Sequence, residues 1–220
     1  MLVFSYLRKP LFLGLVLTCW IGGGGALEAQ SPEELEVVPR PPAEREPVLG
    51  VHVFLSGVLP VQTSSTLCPD EAECVFGVGG GVGAALEQRW PTGPALGLAY
   101  EAWFLDSAGV FEVGLLHTLR AQVRYLFFSS GVLHPYLGGG VSFLLFGDSF
   151  RARTAGVAID LMVGVELELT ASISLVLAAP WRVFSLAPFT SPRDGVARSE
   201  SIGISTAFSL QVGLAIIETP

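Results

Sequence analysis

The sequence is short of charge. Only 15% of its 220 residues are Asp, Glu, Lys or Arg, where about 25% is usual for a soluble domain. Basic residues form no stripe, and the net charge is −8, which argues against a nucleic-acid partner. Long apolar runs are missing too. After residue 30 no stretch holds the 18 or so apolar residues at helical period that a spanning helix needs. Cysteine is scarce: beyond the N-terminal leader there are only Cys68 and Cys74. Two cysteines with no histidine nearby do not fill a zinc site. No other His, Cys and carboxylate spacing suggests a metal, and no cofactor is expected. The glycines from Gly77 to Gly83 lack the Lys-Ser/Thr pair and the helix of a phosphate loop. What is left is a chain that is 50% hydrophobic without one spanning helix. Many short strands would account for both properties.

The pattern supports this. Ala155, Val157, Ile159, Leu161, Val163, Val165 and Leu167 alternate with Thr154, Gly156, Ala158, Asp160, Met162, Gly164, Glu166 and Glu168. The same alternation returns near the end. Ile202, Ile204, Phe208, Leu210, Val212, Leu214 and Ile216 fall on one side, and Gly203, Ser205, Ala207, Ser209, Gln211, Gly213 and Ala215 on the other. Successive strand side chains point to opposite faces, so each run has one greasy and one small or polar face. A soluble sandwich would show charged residues on its second face. A face of Gly, Ala and Ser with isolated charges suits the lumen of a narrow barrel.

Eight strand candidates follow, at 48–59, 74–89, 95–105, 110–127, 134–146, 154–168, 172–184 and 200–216. The expected fold is all-β: a monomeric, eight-stranded, antiparallel, up-and-down transmembrane β-barrel. Tight turns at Pro91–Pro94, Ser129–Gly131 and Leu169–Ser172 alternate with Gln62–Glu73, Asp106–Gly109, Gly147–Arg153 and Ala187–Arg198. Short turns on one side and longer loops on the other match a bacterial outer-membrane barrel with its turns in the periplasm. Two aromatic girdles are expected. Trp90, Tyr125, Phe127, Phe128 and Tyr136 lie toward the turn end. Phe76, Phe104, Phe111, Phe146, Trp181 and Phe184 lie toward the loop end.

Residues 1–29 read as a secretory signal, with Arg8 and Lys9 before the apolar Leu11–Ile21 and small residues at Gly22–Ala26. An uncleaved anchor helix and lipidation at Cys19 are the alternatives. Residues 30–47 are rich in Pro and Glu and are expected to be a flexible periplasmic segment. The barrel takes 48–217. In an oxidising compartment Cys68 and Cys74 are expected to close a loop by a disulfide.

The charges expected on the inward face are His52, Glu87, Arg89, Glu101, Glu112, Arg120, Arg124, Asp160, Glu166, Glu168 and Arg182. Charges in a narrow lumen need partners, so carboxylate–guanidinium pairs are expected across strands. They could fill the interior as a plug, line a narrow polar path, or hold a small ligand. His117 and Thr118 are the nearest approach to a lipid-directed catalytic pair. Neighbouring strand residues point to opposite faces, so they form no dyad, and no enzymatic activity is expected.

Pro135-Tyr136-Leu137-Gly138-Gly139-Gly140-Val141 resembles the strand opening of OmpA-like and OmpW-like small outer-membrane barrels. Gly164-Val165-Glu166-Leu167-Glu168-Leu169-Thr170, followed by Ile173-Ser174-Leu175, resembles their penultimate hairpin. The resemblance covers roughly 48–217. It implies an eight-stranded barrel surrounded by outer-membrane lipid, inserted by the barrel assembly machinery, and without a common enzymatic activity. Two features depart from the pattern. The chain ends Glu218-Thr219-Pro220 without a terminal aromatic, and Pro180 interrupts the seventh strand, where a bulge or a rim position is expected. The rival reading is a soluble lipocalin-like barrel with its Val/Ile/Leu face lining a cavity for an apolar ligand.

Overall fold

The computed structural model describes residues 47–218 except 66, 71, 128–130, 150, 192 and 199–202. The expected signal and nearly all of the 30–47 segment lie outside the described residues. The strands are β1 (Val48–Gln62), β2 (Gly79–Arg89), β3 (Pro94–Leu105), β4 (Gly114–Leu126), β5 (Leu133–Asp148), β6 (Arg151–Thr170), β7 (Ile173–Leu186), β8 (Phe189–Thr190), β9 (Ala197–Arg198) and β10 (Ser205–Ile217). Eight of them close a barrel in the order β1-β10-β7-β6-β5-β4-β3-β2, and β8 and β9 form a separate two-stranded ribbon. Every neighbouring pair in the wall is antiparallel. The described residues contain no helix.

Alternation decides which face turns in. On β6, Val157, Ile159 and Leu161 are 64%, 62% and 65% exposed, while Ala158, Asp160 and Met162 between them are buried. The apolar face is therefore outside, around the whole wall: Leu55, Leu98, Leu119, Val141 and Leu210 are similarly exposed. This overturns the soluble lipocalin-like reading, which required that face to line the lumen. A continuous apolar exterior is unfavourable in water and suits lipid.

Several boundaries differ from the sequence expectation. β2 begins at Gly79 rather than 74, and β4 at Gly114 rather than 110. The residues before each strand fold over the mouth, where the Gly77 N–H bonds the Asp106 carbonyl at 2.7 Å. Gly147–Arg153 is not a long loop. β5 and β6 continue pairing to Asp148↔Arg151, with an irregularity in register after Phe146. Pro180 makes neither a bulge nor a rim contact. It lies within β7, buried, opposite Met162 of β6. On the β10 side pairing lapses between Phe208↔Trp181 and Gln211↔Ala178, and resumes in unchanged register. Proline lacks an N–H to donate, and here the wall omits bridges instead of inserting a residue.

Two inward glycines of β2 are covered by aromatic rings from neighbouring strands. A Cβ on Gly83 would run into the Phe54 ring, and one on Gly81 would lie 2.6 Å from Trp103 Cδ1. The glycine face of β2 is therefore occupied and leaves no path. Gly83→Ala is expected to destabilise the barrel by about 1–3 kcal/mol through overpacking. Combining it with Phe54→Ala should recover part of that loss. Thermal unfolding midpoints of the two variants check this; equal midpoints would show that the ring is not the obstacle.

Candidate functional site in the barrel lumen

The inward side chains form two charged tiers and an apolar cap. The first tier, toward the short turns, joins β1, β2, β4 and β6. Arg89 donates to Glu166 through Nη1 at 2.7 Å and Nη2 at 2.9 Å, and through Nε to Glu87. Arg124 donates from Nε to Glu87 Oε2 at 2.9 Å, from Nη1 to Glu166 Oε1 at 2.9 Å, and from Nη2 to Glu87. Its guanidinium also lies 4.6 Å from the centre of the Tyr136 ring. His52 Nε2 sits 2.9 Å from Arg89 Nη2, 3.2 Å from Arg124 Nη2 and 2.9 Å from Glu87 Oε1. A guanidinium can only donate, so a neutral His52 accepts from it, whereas a protonated one would donate to Glu87. Two arginines balance two glutamates in this tier.

The second tier lies nearer the loops. Arg182 donates from Nε to Asp160 at 2.6 Å, from Nη1 to Thr118 at 3.0 Å, and from Nη2 to Glu101 at 3.3 Å. It stacks 4.3 Å above the Trp103 ring. The Gln211 amide reaches Glu101 at 3.0 Å, and the Ser142 hydroxyl donates to Asp160. Arg120 donates from Nε to Gln122 at 3.0 Å, and its Nη1 stays 3.8 Å from Asp160. These bidentate and shared contacts are the charge-assisted bonds a dry lumen requires.

Above them is an apolar cap. Inward residues Val58, Trp103, Leu116, Leu144, Phe146 and Phe184 pack with loop residues Leu67, Val75, Phe76, Val110, Phe111 and Phe189. Ring centroids of Phe76 and Phe184 are 5.0 Å apart, and those of Phe111 and Phe146 5.5 Å. This corrects the expected loop-end girdle. Phe76, Phe111, Phe146 and Phe184 turn inward, leaving Phe104 and Trp181 exposed on that side. Phe146 and Phe184 occupy inward-facing strand positions, while Phe76 and Phe111 arrive on loops. At the turn end Tyr136 is also buried in the lumen, and Tyr125 and Phe127 remain outside. Phe128 lies outside the described residues.

The cap is fastened by Arg198, which sequence alternation could not reveal. It is 1% exposed. Its guanidinium donates to the carbonyls of Leu67 and Glu73, each at 2.9 Å, to Ser191 Oγ at 3.0 Å and to Asp194 at 2.9 Å. Leu67 and Glu73 adjoin Cys68 and Cys74, which form a disulfide. One buried cation thus ties the disulfide loop to the loop bearing β8 and β9. Burial works against the Asp194 carboxylate, but hydrogen bonds from Ser191 and the Val196 N–H, with the Arg198 charge, hold it below the usual range.

Nine of the charges expected inside are buried in the two tiers: His52, Glu87, Arg89, Glu101, Arg120, Arg124, Asp160, Glu166 and Arg182. Two are not. Glu112 is exposed on the loop before β4, because that strand begins two residues later. Glu168 has inward parity but lies near the turn end of β6, beside His134 at 3.5 Å and exposed. His117 and Thr118 point apart as expected. His117 Nδ1 meets the Tyr100 hydroxyl at 2.6 Å on the outer face, and Thr118 serves Arg182 inside. Thr118, Gln122, Ser142 and Gln211 complete the tiers. Their only sequence signal is their place on the small, polar face.

No protein-family profile matches the sequence, and no curated protein matches it significantly. Solved structures do resemble the fold. Neisserial surface protein A aligns with a TM-score of 0.55 at 16% identity, over 76% of this chain and 96% of that one. The outer-membrane protein OprG of Pseudomonas aeruginosa aligns with a TM-score of 0.50 at 11% identity, over 79% and 97%. The chain has the fold of an eight-stranded outer-membrane barrel.

Proposed function

We propose that the chain is an outer-membrane barrel with a structural or surface role, and that its lumen is closed to solutes. The observation that carries this reading is how little space the lumen keeps. Between the two charged tiers a cavity of about 30 Å³ remains, close to the room one water occupies, and the larger recess of about 240 Å³ at the turn-end mouth is bordered by Arg89 and Glu166 of the first tier. The apolar cap covers the loop end above it. A narrow diffusion path would need a continuous wet column, and the paired charges and packed rings take that volume. Lipid surrounds the exposed Val/Ile/Leu band, and insertion by the barrel assembly machinery fits both strand architecture and sequence resemblance.

Planar bilayers test closure. The purified barrel is expected to stay silent under applied voltage, while its electrophoretic mobility changes on boiling as a folded barrel's does. Reproducible unit conductance steps from heat-modifiable protein would overturn the closed reading.

A further inference from the structure

The cavity between the tiers is chemically one-sided. Its polar walls are His52, Arg120, Gln122, Arg124, Tyr136 and Gln211, and no carboxylate borders it. Arg120 is 3% exposed. Its Nη1 makes no hydrogen bond, and the nearby Asp160 oxygen is 3.8 Å away. Asp160 already receives Arg182 at 2.6 Å and the Ser142 hydroxyl. Glu101 is likewise taken by Arg182 and Gln211. Among the four lumen arginines balanced by four carboxylates, Arg120 is therefore the one held most loosely, with a long ion pair to Asp160 and one donor unused.

We infer that this cavity is a binding site for one chloride-sized monovalent anion. Its volume admits a single occupant of about water size. An anion needs only donors, and the guanidinium of Arg120 supplies an unused one. A water there would also need acceptors for its own protons. Gln122 Oε1 is already held by Arg120 Nε, which reduces the acceptors on offer. The site is a local property of the lumen and lies beyond the structural reading of the barrel.

The test compares the folded barrel in detergent in sodium chloride and in sodium gluconate at equal ionic strength. Gluconate is too large for the cavity. Chloride is expected to raise the unfolding midpoint by roughly 3–6 °C at a tenfold excess over its dissociation constant. The rise should grow with the logarithm of chloride concentration above the dissociation constant and should vanish in Arg120→Gln. Should that variant fail to fold, crystals of the unaltered protein grown in sodium bromide give an independent reading: an anomalous peak is expected beside Arg120 Nη1. Equal midpoints in the two salts, or no bromide peak in the cavity, would overturn the assignment and leave water as the occupant. Neither result depends on whether the barrel conducts.

Discussion

Arg124→Met is expected to lower the unfolding free energy of the lipid-embedded barrel by about 3–5 kcal/mol, the usual cost of removing one partner from a buried ion pair. Arg124 is the bridge of the turn-side tier, with one guanidinium serving both Glu87 and Glu166. Without it, Arg89 alone faces two buried glutamates, and the tier carries a surplus negative charge. Methionine fills much of the volume and retains contact with Tyr136, so the loss reports charge more than packing. Restoring the balance should then help. Arg124→Met combined with Glu87→Gln is expected to recover most of the stability, because the remaining Arg89–Glu166 pair is bidentate. Urea titrations of four chains folded into vesicles (the parent, Arg124→Met, Glu87→Gln and the double variant) complete the cycle. Losses that simply add would show that the tier does not act as one unit.

The second large effect is expected at Arg198. Arg198→Met leaves the Leu67 and Glu73 carbonyls without their donor, at a cost of about 1–3 kcal/mol for each buried group left unsatisfied, and removes one of the three donors to the exposed Asp194 carboxylate. The barrel wall itself does not contain this residue, so the damage should be local. Limited proteolysis of the vesicle-embedded protein is expected to cut the 63–78 loop in the variant and spare it in the parent, with the strands protected in both. Uniform sensitivity, or none, would place the fastening elsewhere. Acid should loosen the same clasp in the parent. Asp194 has a lowered folded-state value, so its contribution is present above the ordinary carboxylate range and fades as pH falls through that lowered value.

The barrel was legible in the sequence because period-two alternation records which face is buried, whatever surrounds the protein. Ala158, Asp160 and Met162 sit between exposed Val157, Ile159 and Leu161 as the pattern required. The lumen charges on regular strands followed from the same rule. Alternation fails where strands stop. Glu112 has inward parity only if the strand extends before Gly114, and for Glu168 parity says nothing about height along the barrel axis. The cap was illegible for a related reason. Phe76, Phe111 and Arg198 enter the interior from loop or short-ribbon segments, whose paths depend on tertiary packing. Phe146 and Phe184 could have been placed by parity. Grouping aromatics by the end of the strand instead of its face put them outside.

The long sequence reach of the lumen bonds has a consequence for how the barrel comes into being. Arg89 and Glu166 are 77 residues apart, and Glu101 waits for Gln211 across 110. Until β6, β7 and β10 take their places, Glu87 can engage Arg89 and Arg124, but those arginines lack Glu166 and Glu101 lacks Arg182 and Gln211. Unpaired charges are expelled from hydrocarbon, so a growing edge cannot enter the bilayer one hairpin at a time. Closure of β1 against β10 and neutralisation of the interior must therefore coincide, which makes insertion a single late event.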